Sequence, residues 1–289
     1  MVGRIWLLCG RRHRGNMDMK RKGFQGALRS DLRRALGPLF WICVLLIAAV
    51  HVGAVWLSFL DSNSGSVISL YDEAVNVENY MQNLLLVLVS AVFSTAFLED
   101  IQSAFYLFQL LRSSRGAYLG AKLSANAIST FACTWLGLAL FLLILSMRFP
   151  LVEPEDIEKL HYGTLECMCG ALLLRGHPFA YFLTVITLRS MAMVFWPLCA
   201  MAVSAYVPNR FVVLGTPWLV DYFIGASESR IFRSSYGNYG RRFAQFTVGS
   251  ANYMEPGVAL IQLLVRYLPC IALCAVLFYL GAKRRLKND

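Results

Sequence analysis

Charged residues are scarce in this chain, and over two long stretches they are missing altogether. Leu39 to Leu60 and Asn126 to Met147 contain no Asp, Glu, Lys or Arg. With 57% hydrophobic and 15% charged residues, the composition excludes an ordinary soluble domain. A bilayer core takes ~20 apolar residues to cross as helix. A segment in lipid must also satisfy its own backbone hydrogen bonds, so these runs read as helices rather than strands.

Signatures of catalysis and metal binding are missing too. There is no Gly-x-Ser-x-Gly, no His-Glu-x-x-His and no paired Cys-x-x-Cys. Gly116-Ala-Tyr-Leu-Gly120-Ala-Lys122-Leu-Ser124 faintly echoes a phosphate loop. That motif needs Lys and Ser/Thr adjacent, so that ammonium and hydroxyl reach phosphate and metal, and here they are displaced. Of eight cysteines, Cys43, Cys133, Cys199, Cys270 and Cys274 fall in apolar runs, where a thiol acts as a small hydrophobe. Cys167 and Cys169 are too close in sequence for an unstrained bridge and have no Cys/His pair to complete a zinc site. No metal is expected. The first ten residues lack the apolar core and small-residue site of a signal peptide. Residues 1–22 read as a basic arm of disordered composition, and Met17 and Met19 offer alternative starts.

What is present is basic charge beside apolar spans. The net charge of +10 gathers at the chain ends, where anionic lipid and the positive-inside bias account for it without nucleic acid. Between Gly23 and Pro38, Phe24, Leu28, Leu32 and Leu36 recur every fourth residue, with Ala27, Ala35 and Leu39 alongside and Arg29, Arg33 and Arg34 off that line. This predicts a basic amphipathic helix suited to the inner membrane face, ended by Gly37-Pro38.

The expected fold is an all-α integral membrane protein of six transmembrane helices over residues 39–282, preceded by that interfacial helix and closed by a basic tail, 283–289. The spans are Leu39–Leu60, Tyr80–Leu98, Leu123–Met147, Phe179–Tyr206 (interrupted by Pro197), Phe211–Ala226 and Val258–Ala282. With both termini in the cytoplasm, 18 basic residues fall inside against 7 outside. The loops 61–79 and 148–178 are then external and mainly acidic. Arg230, Arg233, Arg241 and Arg242 strain this topology, because a fifth span that only dipped in and returned would put their loop inside.

The most informative segment runs from Phe97 to Lys122. Carboxylates Glu99 and Asp100 end the second span, an aromatic amphipathic turn comes next, and Arg112 precedes Ser-Ser-Arg115-Gly-x-Tyr118-x-x-x-Lys122. Here the chain resembles the permease subunits of type-2 ATP-binding-cassette (ABC) exporters. That family has six spans behind a basic amphipathic helix, an acidic residue at the inner end of the second span, and an Arg-x-x-Tyr-x-x-x-Lys approach to the third. Glu99 matches the acidic position, and Arg115, Tyr118 and Lys122 match the approach. The likeness covers the layout from Gly23 onward but the motif only from Glu99 to Lys122. The polar loop before the sixth span departs from the short apolar re-entrant helices common in the family.

The resemblance implies a cell-membrane permease with no catalytic residues and no cofactor of its own. A separate nucleotide-binding ATPase subunit would bind ATP, and a second permease copy or paralogue would complete the path. The ATPase would push on Glu99, Asp100, Arg112, Arg115, Tyr118 and Lys122.

Charges inside spans cost at least ~2.5–3.5 kcal/mol by insertion scales, so they are functional candidates. Three qualify: Arg189, Asp221 and Arg266. Asp221 either neutralises one of the arginines or faces a substrate path, and Arg266 lies near enough to a span end to snorkel. His51 reads as a hydrogen-bonded core residue. Two other functions compete with transport: a membrane-embedded enzyme acting on lipid, which would need His161, Glu166 or His177, and a non-transporting sensor or assembly protein.

Overall fold

Residues 23–59, 65–76, 79–161, 168–231 and 255–288 are described by a computed structural model, and among them there is helix and turn but no strand. The basic arm 1–22, Asp61, Glu78, Glu166, Cys167 and the arginines 233, 241 and 242 lie outside the described residues.

The amphipathic segment forms helix α1 over residues 23–35, and a turn at Leu36-Gly37 hands over to α2, Pro38–Phe59. Proline suits that first helical position, where its missing N–H has no partner to lose. The remaining helices are α3 (Val67–Asn76), α4 (Asn79–Ala91), α5 (Ala96–Gln102), α6 (Phe105–Arg112), α7 (Arg115–Ser146), α8 (Pro154–His161), α9 (Ala171–Leu174), α10 (Pro178–Met193), α11 (Phe195–Ser204), α12 (Arg210–Ile231) and α13 (Pro256–Asn288).

Among the described residues, four helices are long and apolar enough to cross a membrane: α2, α7, α10 with α11, and α13. The α4–α5 pair, bent by 46° at its break, makes a fifth if it is one broken span rather than a re-entrant loop. The sequence predicts the second span over Tyr80–Leu98; within it the helix turns over residues 92–95 and restarts. The interruption of the fourth span falls at Val194 rather than at Pro197. A proline ring clashes with the carbonyl four residues earlier, which is Met193, so the break precedes the proline. The third span begins earlier than its apolar run, at Arg115, and α13 carries the basic tail on as helix.

Cross-links between helices set their directions. Cys133 Sγ meets the Phe40 carbonyl at 3.8 Å, and the His51 and Phe141 rings lie 5.3 Å apart, so α2 and α7 run parallel. Between those levels a Cβ on Gly137 would fall 2.7 Å from the Ile47 side chain, so the glycine lets the two helices pack closely there. Asn126 donates to the Pro197 carbonyl at 3.0 Å and Trp135 donates to Thr187 at 3.3 Å, so α10 and α11 run opposite to α7. Phe195 lies against Tyr267 and Tyr206 donates to the Leu277 carbonyl, which makes α13 parallel to α11.

Two ends result. One gathers α1, α6, the start of α7, residues 204–210 and the end of α13, with Arg29, Arg33, Arg112, Arg115, Arg210, Lys283 and Arg284 exposed. The other holds the α2–α3 and α7–α10 connections: Val67 N–H donates to Pro150, and Arg175 pairs with Glu255 at 2.6 Å. Glu255 at the head of α13 therefore stands with the acidic loop and away from the basic end.

Candidate functional site

At the basic end three helices are joined by buried charge. Helix α1 lays its apolar line on the bundle: Ala35 is buried, Leu28 and Leu32 pack against the core, and Phe24 covers Gly120. Asp31 falls on the same line, three residues after Leu28 and four before Ala35, so packing the stripe drags a carboxylate inside to 1% exposure. On α7, Tyr118 and Lys122 are four residues apart and share one face. Both are fully buried. On α5, Glu99 and Asp100 are adjacent and point in different directions, leaving Asp100 buried and Glu99 at the rim.

The side chains close into a knot. Lys122 Nζ lies 2.8 Å from Asp31 Oδ1 and 2.7 Å from Asp100 Oδ2, and the Tyr118 hydroxyl donates to Asp100 Oδ2 at 2.8 Å. From α1, Arg34 reaches over the rim with one nitrogen on Asp100 Oδ1 and the other on Glu99 Oε2 at 2.8 Å. Thr95, in the α4–α5 break, donates to Glu99 Oε1 at 3.0 Å. The Lys122 ammonium stands 5.2 Å from the Phe93 ring centre and 5.7 Å from that of Tyr118, a further favourable placement for a desolvated cation.

Three carboxylates face two cations, so the knot is one positive charge short. Burial drives the Asp31 carboxyl above its ordinary value, outweighing the Lys122 ammonium that pulls it down; the Asp100 carboxylate adds to the rise. Gln109, buried on α6, lies beside Asp31 and brings a fourth helix to the cluster.

Helix α6 hangs between α5 and α7. It begins after Ala104, whose left-handed backbone (φ 56°) turns the chain out of α5. It ends at Ser113-Ser114, where Ser114 caps α7 by accepting from the Ala117 N–H at 3.3 Å. Tyr106 and Gln109 face inward, while Leu107, Phe108 and Leu111 are exposed, Leu111 to 84%. Arg112 and Arg115 follow this apolar surface in the chain, and both are exposed.

The residues singled out in the sequence thus divide. Glu99, Asp100, Tyr118 and Lys122 come together in the knot; Arg112 and Arg115 stand outside it at the surface. Asp31 and Arg34 were missed, although an acidic residue in the apolar line of a basic helix is a legible sign that the line is covered by protein carrying a cation. Thr95 and Gln109 left no sign, because only the break after α4 and the fold-back of α6 bring them in.

The span charges do not form the pairing that Asp221 could make with Arg189. Arg189 lies over the Tyr71 ring, 5.4 Å from its centre, at the opposite end of the core from the knot. Asp221 is half-buried on α12, and Arg266 is half-buried on α13 beside Tyr267. His51 bonds the Ile47 carbonyl one turn back at 2.8 Å, in keeping with a core role. His161 and His177 are exposed on separate segments. Among the described residues Cys43, Cys133, Cys169, Cys199, Cys270 and Cys274 are free thiols, and no group of three His, Cys, Asp or Glu could hold a metal. No family model, curated protein or solved structure matches the chain.

Proposed function

We propose that the chain is the permease subunit of a type-2 ABC exporter: six membrane-crossing helices with both termini in the cytoplasm of the cell membrane. Two such permeases form the path, and a separate ATPase binds and hydrolyses ATP. The observation that carries the reading is the suspension of α6. It offers exposed Leu107, Phe108 and Leu111 followed by exposed Arg112 and Arg115, and both of its ends lead into helices locked together by the knot. Push on α6 and the load passes to α5, to α7 and, through Asp31 and Arg34, to α1 and α2. Tyr118 and Lys122 are buried, so in this reading they transmit position and never touch the ATPase. The Arg175–Glu255 pair favours six crossings, because it holds the head of α13 beside the acidic loop and leaves α12 to cross.

Affinity purification in mild detergent with mass spectrometry tests the proposal. A cassette ATPase should come along in stoichiometric amount, and Phe108→Ala/Leu111→Ala/Arg115→Ala should lose it while the protein still inserts. Recovery of the chain without any nucleotide-binding protein would sink the permease reading and favour the enzyme or sensor hypotheses.

A further inference from the structure

The outer face of α1 is basic, hollow and continuous with exposed apolar side chains. Gly26, Arg29, Ser30, Arg33 and Arg34 line an open hollow of about 430 Å³. Arg34 is already engaged by Glu99 and Asp100, whereas Arg29 and Arg33 make no ion pair among the described residues. They are four residues apart, which sets their guanidinium groups on neighbouring turns of one face. The small residues Gly26 and Ser30 leave the floor between them clear.

The next residues along the chain identify the occupant. Leu36, in the turn that ends α1 three residues after Arg33, is exposed although it continues the line of Leu28 and Leu32. Leu39, Trp41 and Ile42 continue the exposed apolar surface up the first turn of α2. An exposed tryptophan at the start of a membrane-crossing helix marks headgroup depth. Guanidinium groups at this depth, with aliphatic and indole surface next to them, complement an anionic phosphate that carries acyl chains. The guanidinium fork fits phosphate oxygens in pairs.

We propose that Arg29 and Arg33 form a binding site for the phosphate of an anionic phospholipid, whose chains lie along Leu36, Leu39 and Trp41. Leu28, Leu32 and Ala35 of the apolar line are spent on the protein core, so a lipid clamped by the basic face and reaching over exposed Leu36 is what ties this helix to the membrane. The site is independent of whether the chain works with an ATPase.

The test uses the full chain, purified in detergent and offered a mixture of phosphatidylglycerol and phosphatidylcholine. Native mass spectrometry counts the lipids retained. Phosphatidylglycerol should be held selectively, and Arg29→Gln/Arg33→Gln should weaken it by roughly tenfold or more, given the attraction of each basic side chain for an anionic surface. The Arg112→Gln control should retain it. Both arginines are exposed, so the double variant should keep the unfolding temperature of lipid-free protein. Millimolar inorganic phosphate should not displace the lipid, because it lacks the apolar contacts. Equal retention of both lipids, an unchanged double variant, displacement by free phosphate, or preferential capture of a polyglutamate peptide by the same arginines would each overturn the proposal.

Discussion

The two ends of the bundle bury different things. Away from the basic end the core is aromatic: Tyr71 stacks on Phe141 at 6.1 Å and meets Phe182 edge-on, and Tyr181 packs on Phe182 at 5.1 Å. The ion pairs of that end, Lys159–Glu155 and Arg175–Glu255, are surface pairs. At the basic end the order is reversed, with Asp31, Asp100 and Lys122 inside and Leu107, Phe108 and Leu111 outside. Aromatic packing tolerates small shifts because the hydrophobic effect behind it is non-directional. A buried ion cluster does not, because each charge loses its water and depends on a partner held within bonding distance. One end is therefore glued, and the other is keyed to a single relative position of α1, α5 and α7.

That contrast breaks most sharply at Lys122. Lys122→Met leaves two buried carboxylates facing each other and should destabilise by about 3–5 kcal/mol. Reversible unfolding in mixed micelles reads the loss. Adding Asp31→Asn and Asp100→Asn should recover most of it, since no buried carboxylate is then unpaired and Arg34 still has Glu99; no recovery would mean the lysine acts through packing alone.

Next in size is the α2–α7 contact that joins the two ends. A Cβ at Gly137 would sit 2.7 Å from Ile47 and 3.3 Å from the Val44 carbonyl. Gly137→Val drives further methyls into both and should cost about 1–3 kcal/mol by overpacking. The same unfolding assay applies, and a neutral result would show that the two helices separate at little cost.

A smaller effect is a pH slope confined to the knot. The folded chain holds the Asp31 proton more tightly than the unfolded chain, whose carboxyl keeps the ordinary value of 3.8. Stability therefore falls as pH rises from that value through the raised one, and levels off above it. Unfolding midpoints across this range should slope in the wild type and flatten in Asp31→Asn. Equal slopes would place the titration on another group. Smallest of all is Glu155→Gln on α8: both partners of its pair with Lys159 are exposed, and the midpoint should not move.

Much of the fold was legible because lipid imposes a simple rule. Charge-free runs near Leu39 and Asn126 had to be helices, and Gly37-Pro38 had to separate α1 from α2. Half of the knot was legible too, since Glu99, Asp100, Tyr118 and Lys122 stand at helical spacings around a span junction. Helix α1 was only half legible: its basic amphipathic pattern is the same whether its apolar line meets lipid or protein. Only the buried Asp31 distinguishes the two, and a single acidic residue carries little weight in a periodicity.

Sequence by itself determined the helical class, the apolar segments and the concentration of basic residues near the termini, since each comes from local composition and the cost of bare backbone in lipid. Tertiary structure decided where the helices break, which face of α1 is covered, and that Asp31, Asp100 and Lys122 share one site. Those depend on contacts between residues as far apart as Asp31 and Lys122, and no local pattern encodes a distance of that kind.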